Sequence, residues 1–335
     1  MNHKRLRGFI LACTGIAMIG GAGCANFSTQ PTPKPKPAMN QYVVGYQAYK
    51  RGELDLARQN LEVALINNPN LRMARSILGD IYRKQGDYAK AAEQYEVLSR
   101  NDPYTLSNHY NLGVSYQFLR RFKESAVAYL KGLKLDANDF NSNMNLGTVY
   151  LALGETDEAV RYLDKATQID PTSGTAWSNL GVALDARNSL VLAETAYRKG
   201  LERNPDSLAI KQNLANNLSA QQRIGEAKLL WEQIVQTSPT PFNQTKLAEV
   251  YITAMDFDAS DKLLTRVMLS DPRFVPAINT QASSMIRQYE LSGYTDDKLR
   301  LRAVELLKRS LALNGSQSRV ADELKKWSRQ SGIGE

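Results

Sequence analysis

Residues 106–139 read LSNHYNLGVSYQFLRRFKESAVAYLKGLKLDAND, and residues 140–173 read FNSNMNLGTVYLALGETDEAVRYLDKATQIDPTS. Laid over one another, these two 34-residue segments carry the same chemistry at the same phases. Leu112 and Leu146 are each followed by a glycine, Gly113 and Gly147, and three positions on by Tyr116 and Tyr150. Later come a small residue (Ser125, Ala159) and a large one (Tyr129, Leu163). The phases continue outward on both sides: Leu78, Leu180 and Leu214, then Gly79, Gly181 and Ala215, with Ala91, Ala193 and Ala227 further along. A proline or alanine falls at 69, 103, 137, 171, 205 and 239, always 34 apart, and Pro272 follows 33 later. A fixed period of this length is the signature of a stacked repeat array.

Each unit reads as two antiparallel helices. Large apolar residues recur at three- and four-residue spacing and make one stripe per helix. The glycine of the first helix and the small residue of the second let the two approach closely, with large residues filling the space on either side. Gly86-Asp87 and Gly154-Glu155 mark the turns, and the closing Asp-Pro or Asn-Pro pairs stop the second helix. One pair cannot bury its own apolar face, so the units must stack.

These phases resemble the tetratricopeptide repeat over residues 38 to about 317. The resemblance implies an all-α, right-handed superhelical solenoid of about eight helix-turn-helix repeats. Repeats open at 38, 72, 106, 140, 174, 208 and 241. The eighth is degenerate: Ile278, Ala282 and Met285 mark its first helix, but Ala303 and Leu307 of its second arrive nine residues late. Residues 318–335 form one more basic amphipathic stretch, with Val320, Leu324 and Trp327 on one face, as a capping helix requires.

The N-terminus has a different character. Lys4, Arg5 and Arg7 precede an apolar, small-residue run from Gly8 to Gly23 that ends at Cys24. Sixteen residues fall short of the ~20 of a spanning helix, and the order of segments is that of an export signal. Gly21-Ala22-Gly23-Cys24 resembles a bacterial lipobox, although Gly21 stands where that motif has an aliphatic residue. The expectation is a lipoprotein signal over 1–23 and a lipidated Cys24 opening a Pro-rich tether over 24–37. Pro31, Pro33, Pro35 and Pro37 favour an extended conformation there. Ala25 after the cysteine resembles outer-membrane sorting, which places the chain in the bacterial envelope facing the periplasm.

Of the net charge of +8, residues 1–37 and 298–335 contribute +5 each, leaving −2 for residues 38–297. The repeats therefore lack the basic stripe of a nucleic-acid surface. Once a signal is removed, one histidine, His109, remains, and Cys24 is consumed by lipid. No Ser-His-Asp set, metal-ligand spacing or phosphate loop is present in the sequence. The expectation is no enzyme, no cofactor, no metal and no small-molecule substrate. His109 shares its phase with Trp177, which makes it a packing residue.

A protein partner remains. In the family the first helices line the concave face, and one phase of that face holds Asn111, Asn145, Asn179 and Asn213. Each amide offers a donor beside an acceptor, the complement of an extended backbone. The arrangement resembles the asparagine ladder of the tetratricopeptide array in the O-linked N-acetylglucosamine transferase. Tyr42, Tyr46 and Tyr49 of the first repeat, with Tyr110 and Phe118 of the third, fall on the same face. Aromatic side chains give contact area at small entropic cost; the prolyl tether packing on these rings is the alternative. Anchor, tether and repeats together resemble the tetratricopeptide lipoproteins of Tad/Flp and type IV pilus systems, which implies a scaffold in pilus or secretion-machine assembly. An adaptor that docks envelope hydrolases or proteases is the second reading.

Overall fold

The computed structural model describes residues 37–328. The expected signal, Cys24 and all of the tether but Pro37 lie outside the described residues, as does 329–335. Among the described residues there are seventeen α-helices and no strand. The first helices of the pairs are α1 (Pro37–Lys50), α3 (Arg72–Lys84), α5 (Leu106–Phe118), α7 (Phe140–Leu153), α9 (Gly174–Ala186), α11 (Leu208–Ala220), α13 (Pro241–Thr253) and α15 (Val275–Leu291). Their partners are α2 (Leu54–Asn67), α4 (Tyr88–Asn101), α6 (Phe122–Leu133), α8 (Thr156–Ile169), α10 (Leu190–Arg203), α12 (Ile224–Thr237), α14 (Phe257–Ser270) and α16 (Asp297–Leu313). α17 (Ser318–Ser328) closes the array. Pro37 opens α1, where a missing N–H costs nothing.

Each turn uses one backbone device. The residue one or two places past the first helix adopts the left-handed conformation: Gly52, Gly86 and Gly154 at φ 78–80°. At the same phase Arg120, Asn188, Gln222 and Met255 do so at φ 59–62°. The following N–H then returns to a carbonyl five residues back, as from Asp87 to Tyr82 and from Glu155 to Tyr150, both at 2.9 Å. Asp87 also caps α4 by accepting from the Lys90 N–H at 3.2 Å. Glu155 makes no such side-chain cap, and Asp157 and Glu158 sit in the first turn of α8, facing the positive end of its dipole.

Packing inside each pair refines the expectation from sequence. A Cβ on the first-helix glycine would collide chiefly with the large side chain sixteen residues on. Gly79 lies under Tyr95, Gly113 under Tyr129, Gly147 under Leu163 and Gly181 under Tyr197, at 2.4–2.8 Å. The glycine is there to seat a ring or a leucine, and backbone approach is secondary. Between pairs, the apolar phases merge into clusters that span neighbouring repeats, the longest running from Ala159 to Val250. Tyrosines clasp neighbouring repeats: Tyr82, Tyr116 and Tyr251 donate to Glu62, Glu96 and Glu232 at 2.7, 2.6 and 2.8 Å. At Tyr150 the corresponding residue is Leu130, and the ring stacks on Tyr162 at 5.5 Å instead.

The eighth pair absorbs its nine extra residues in three places. Compared with α13 and α14, four lengthen the end of α15, two enter the turn and three precede Ala303 at the start of α16. α17 packs on this pair through Trp327, which is buried beside Tyr289 and Val304.

Candidate functional site

First helices touch one another along the array, α1 with α3, α5 with α7, α7 with α9, α9 with α11 and α13 with α15. The second helices make no comparable mutual contact among the described residues. The closer spacing on one side bends the stack, so the first helices line its concave face. Their second and thirteenth phases are exposed, as at Met73, Asn141, Thr175, Lys84, Ala152 and Ala186.

Asn111, Asn145, Asn179 and Asn213 are all half-buried on this face. They are not equivalent. Asn145 donates from Nδ2 to the hydroxyls of Tyr110 at 3.4 Å and Tyr129 at 3.3 Å, which ties α7 to α5 and α6. The side chains of Asn111, Asn179 and Asn213 make no hydrogen bond among the described residues, and so present free amides. Alongside them, Asp185 of α9 accepts from the Tyr197 hydroxyl at 2.7 Å and from Asn217 Nδ2 at 2.6 Å. Burial pushes the Asp185 carboxyl above the usual carboxylate range, with both hydrogen bonds opposing. Burial acts on Glu194 in the same sense, but bonds from Gln221, Arg198 and Arg223 outweigh it and hold that carboxyl below its usual range.

The aromatic residues divide into two groups. Tyr42 and Tyr46 stack at 6.0 Å on α1, and Tyr49 lies beside Lys84 of α3. Tyr110 leans on Tyr129 at 5.9 Å and contributes its hydroxyl to Asn145. Phe118 is exposed at the turn end of α5 and stacks flat on Tyr88 at 4.3 Å. At the C-terminal end of the face, α17 closes a cavity of about 550 Å³ whose lining includes Ile252, Asn279, Ile286, Arg319 and Trp327. Among the described residues no group of three His, Cys, Asp or Glu is placed to hold a metal.

His109 has a structural task that extends to its counterparts. Its Nε2 sits 2.9 Å from the Pro103 carbonyl, six residues back, and the ring is buried. Trp177 Nε1 donates to the Pro171 carbonyl at 3.0 Å, Arg75 Nε to that of Pro69 at 3.0 Å and Asn143 Nδ2 to that of Ala137 at 3.1 Å. Gln244 repeats the bond to Pro239 at 3.2 Å. Five unlike side chains at one phase thus satisfy the carbonyl that closes the preceding repeat. The shared ring N–H of His109 and Trp177 was the one trace of this in the sequence.

Residues 45–104, 110–174 and 145–207 match the family model of the tetratricopeptide repeat. No curated protein matches the sequence. Among solved structures, a tetratricopeptide repeat protein from Parabacteroides merdae is 15% identical at a TM-score of 0.56, covering 88% of this chain and 100% of its own. The Cut9–Hcn1 structure of the APC/C is 14% identical at 0.55, covering 82% and 52%. The structure of pilF from Pseudomonas aeruginosa is 17% identical at 0.50, covering 62% and 94%. Likeness at these identities concerns the fold. The chain carries tetratricopeptide repeats and is built as an all-α tetratricopeptide-repeat superhelix.

Proposed function

We propose that this chain is a lipid-anchored scaffold on the periplasmic side of a bacterial outer membrane. It holds an extended segment of a protein partner along its concave groove during assembly of a pilus or secretion machine. The observation that carries the groove is the pair Asn179 and Asn213: half-buried concave amides, in register 34 residues apart, with no side-chain hydrogen-bond partner among the described residues. The anchor rests on the basic, apolar and small-residue order before Cys24, and the assembly role on the likeness of anchor, tether and repeats to pilus-system lipoproteins.

The test is crosslinking and capture from envelope membranes with the anchor intact. Asn179→Ala with Asn213→Ala removes two amide contacts of about 0.5–1.5 kcal/mol each, so capture of the partner should fall by about fivefold to a hundredfold. Cys24→Ala should leave an unprocessed or soluble form, because a single cysteine carries the acyl attachment; normal processing with retention in the membrane after a high-salt wash would rule out the anchor. Recovery of hydrolases or proteases in place of machine components would favour the adaptor reading. Undiminished capture by the folded Asn double variant would rule out the groove.

A further inference from the structure

The groove changes chemistry between its second and third repeats. The phase that carries asparagine in α5, α7, α9 and α11 carries Val43 in α1 and Ile77 in α3. Met39, Val43 and Tyr46 follow one another at four- and three-residue spacing on the concave side of α1, and are 40%, 43% and 39% exposed. Met73 of α3, 52% exposed, joins them through Tyr42, whose hydroxyl is 3.7 Å from its Sδ. The result is an apolar and aromatic patch at the start of a groove that is lined by amides beyond it.

Two lysines border this patch. Lys50 Nζ lies 5.5 Å from the centroid of the Tyr46 ring. Lys84 Nζ lies 4.5 Å from that of Tyr49 and donates to its hydroxyl at 3.1 Å. The nearby arginines are paired, Arg51 with Glu53 at 2.8 Å and Arg83 with Asp80 at 3.3 Å. Lys50 and Lys84 pair with no carboxylate among the described residues, so the patch carries uncompensated positive charge beside exposed hydrocarbon.

We infer that the first two repeats are the selective end of the groove and take an acidic segment of a protein partner that also bears apolar side chains. The inference rests on the groove reading above. Charge complementarity favours this occupant over the chain's own tether, because residues 25–36 hold Lys34 and Lys36 and no acid. A second copy stacked end to end is disfavoured by the end face itself. The phases that pack on a preceding repeat at Ala74, Leu78 and Ile81 are Asn40, Val44 and Gln47 in α1, so that face is largely polar.

The probe is a labelled short peptide in which aspartate alternates with leucine and phenylalanine. Two controls carry lysine for each aspartate, or serine for each apolar residue. Fluorescence anisotropy with the full chain in detergent should show the acidic apolar peptide binding about tenfold or more tighter than either control. Added salt should weaken it. Lys50→Glu with Lys84→Glu, both at exposed positions, should abolish the preference for aspartate over lysine, with circular dichroism and melting confirming that the variant stays folded at the assay temperature. A photoreactive residue at Tyr46 should crosslink the peptide. Crosslinking to residues 25–36 or to a second copy would name another occupant and overturn the inference. If the lysine variant binds like the parent while the Asn179/Asn213 variant does not, the groove stands and this end-selectivity falls. If neither variant matters, both readings fall.

Discussion

At the scale of single residues, the contrast between Gly181 and Gly225 isolates what glycine does here. A Cβ on Gly181 would stand 2.4 Å from the ring of Tyr197, which is fully buried and held through its hydroxyl to Asp185. The ring has nowhere to retreat, so Gly181→Ala should cost about 1–3 kcal/mol, the usual penalty for overpacking a dense core. Gly225, near the start of α12, has nothing within 4 Å, and Gly225→Ala should stabilise by up to about 1 kcal/mol through helix propensity. Urea unfolding of the two variants reads both; equal midpoints would mean that the glycine phase does not seat the ring. The glycine phase was legible in the sequence because glycine recurs there at 45, 79, 113, 147 and 181 before alanine takes the position at 215. The phase of His109 was not, because Arg75, His109, Asn143, Trp177 and Gln244 share only an N–H donor.

At the scale of elements, the tyrosine clasps show which inter-repeat contacts resist prediction. Each donor sits on a first helix and its acceptor about twenty residues back on the preceding second helix, at another phase of the repeat. Only some junctions use the pair, so no column of identities exposes it. The helices themselves, with their turns and core faces, were readable because each phase is restated several times. Burial, then the carboxylate hydrogen bond, pushes Tyr116 and Tyr251 up to about 12, and Tyr82 further. The unfolded hydroxyl ionises near ~10, so the fold binds these protons more tightly. Their contribution is complete below pH ~10 and is lost as pH rises through about 12. Tyr116→Phe should therefore lower stability by about 1.5–3 kcal/mol at neutral pH and flatten the alkaline decline. Denaturant unfolding at stepped pH checks both; a variant declining as steeply as the parent would remove Tyr116 from the account.

At the scale of the whole molecule, stability is a sum over neighbours, so the ends decide how the array comes apart. The N-terminal end presents Asn40 and Gln47 to solvent and is largely polar by composition. The C-terminal end is protected by α17. Trp327 packs edge-on to Tyr289 at 6.1 Å, and its carbonyl accepts from Arg300 Nη1 at 2.9 Å. Arg300 is itself buried, so removing α17 both uncovers Val304 and Tyr289 and takes away one of that guanidinium's acceptors. From its apolar stripe the sequence reads this stretch as a capping helix. It could not say how the nine late residues are shared between α15, the turn and α16, because insertion length carries no address. Deleting residues 318–335 should therefore loosen α15 and α16 first, with fast amide exchange across residues 275–317, while α1 to α10 keep their protection. Trp327→Ala, at about 3–5 kcal/mol for a buried aromatic, should give a milder form of the same gradient. Unchanged protection over 275–317 would show that α17 is not the cap. A uniform loss along the chain would show that cooperativity reaches well beyond adjacent repeats, and a partner bound at one end of the groove would then be felt at the other.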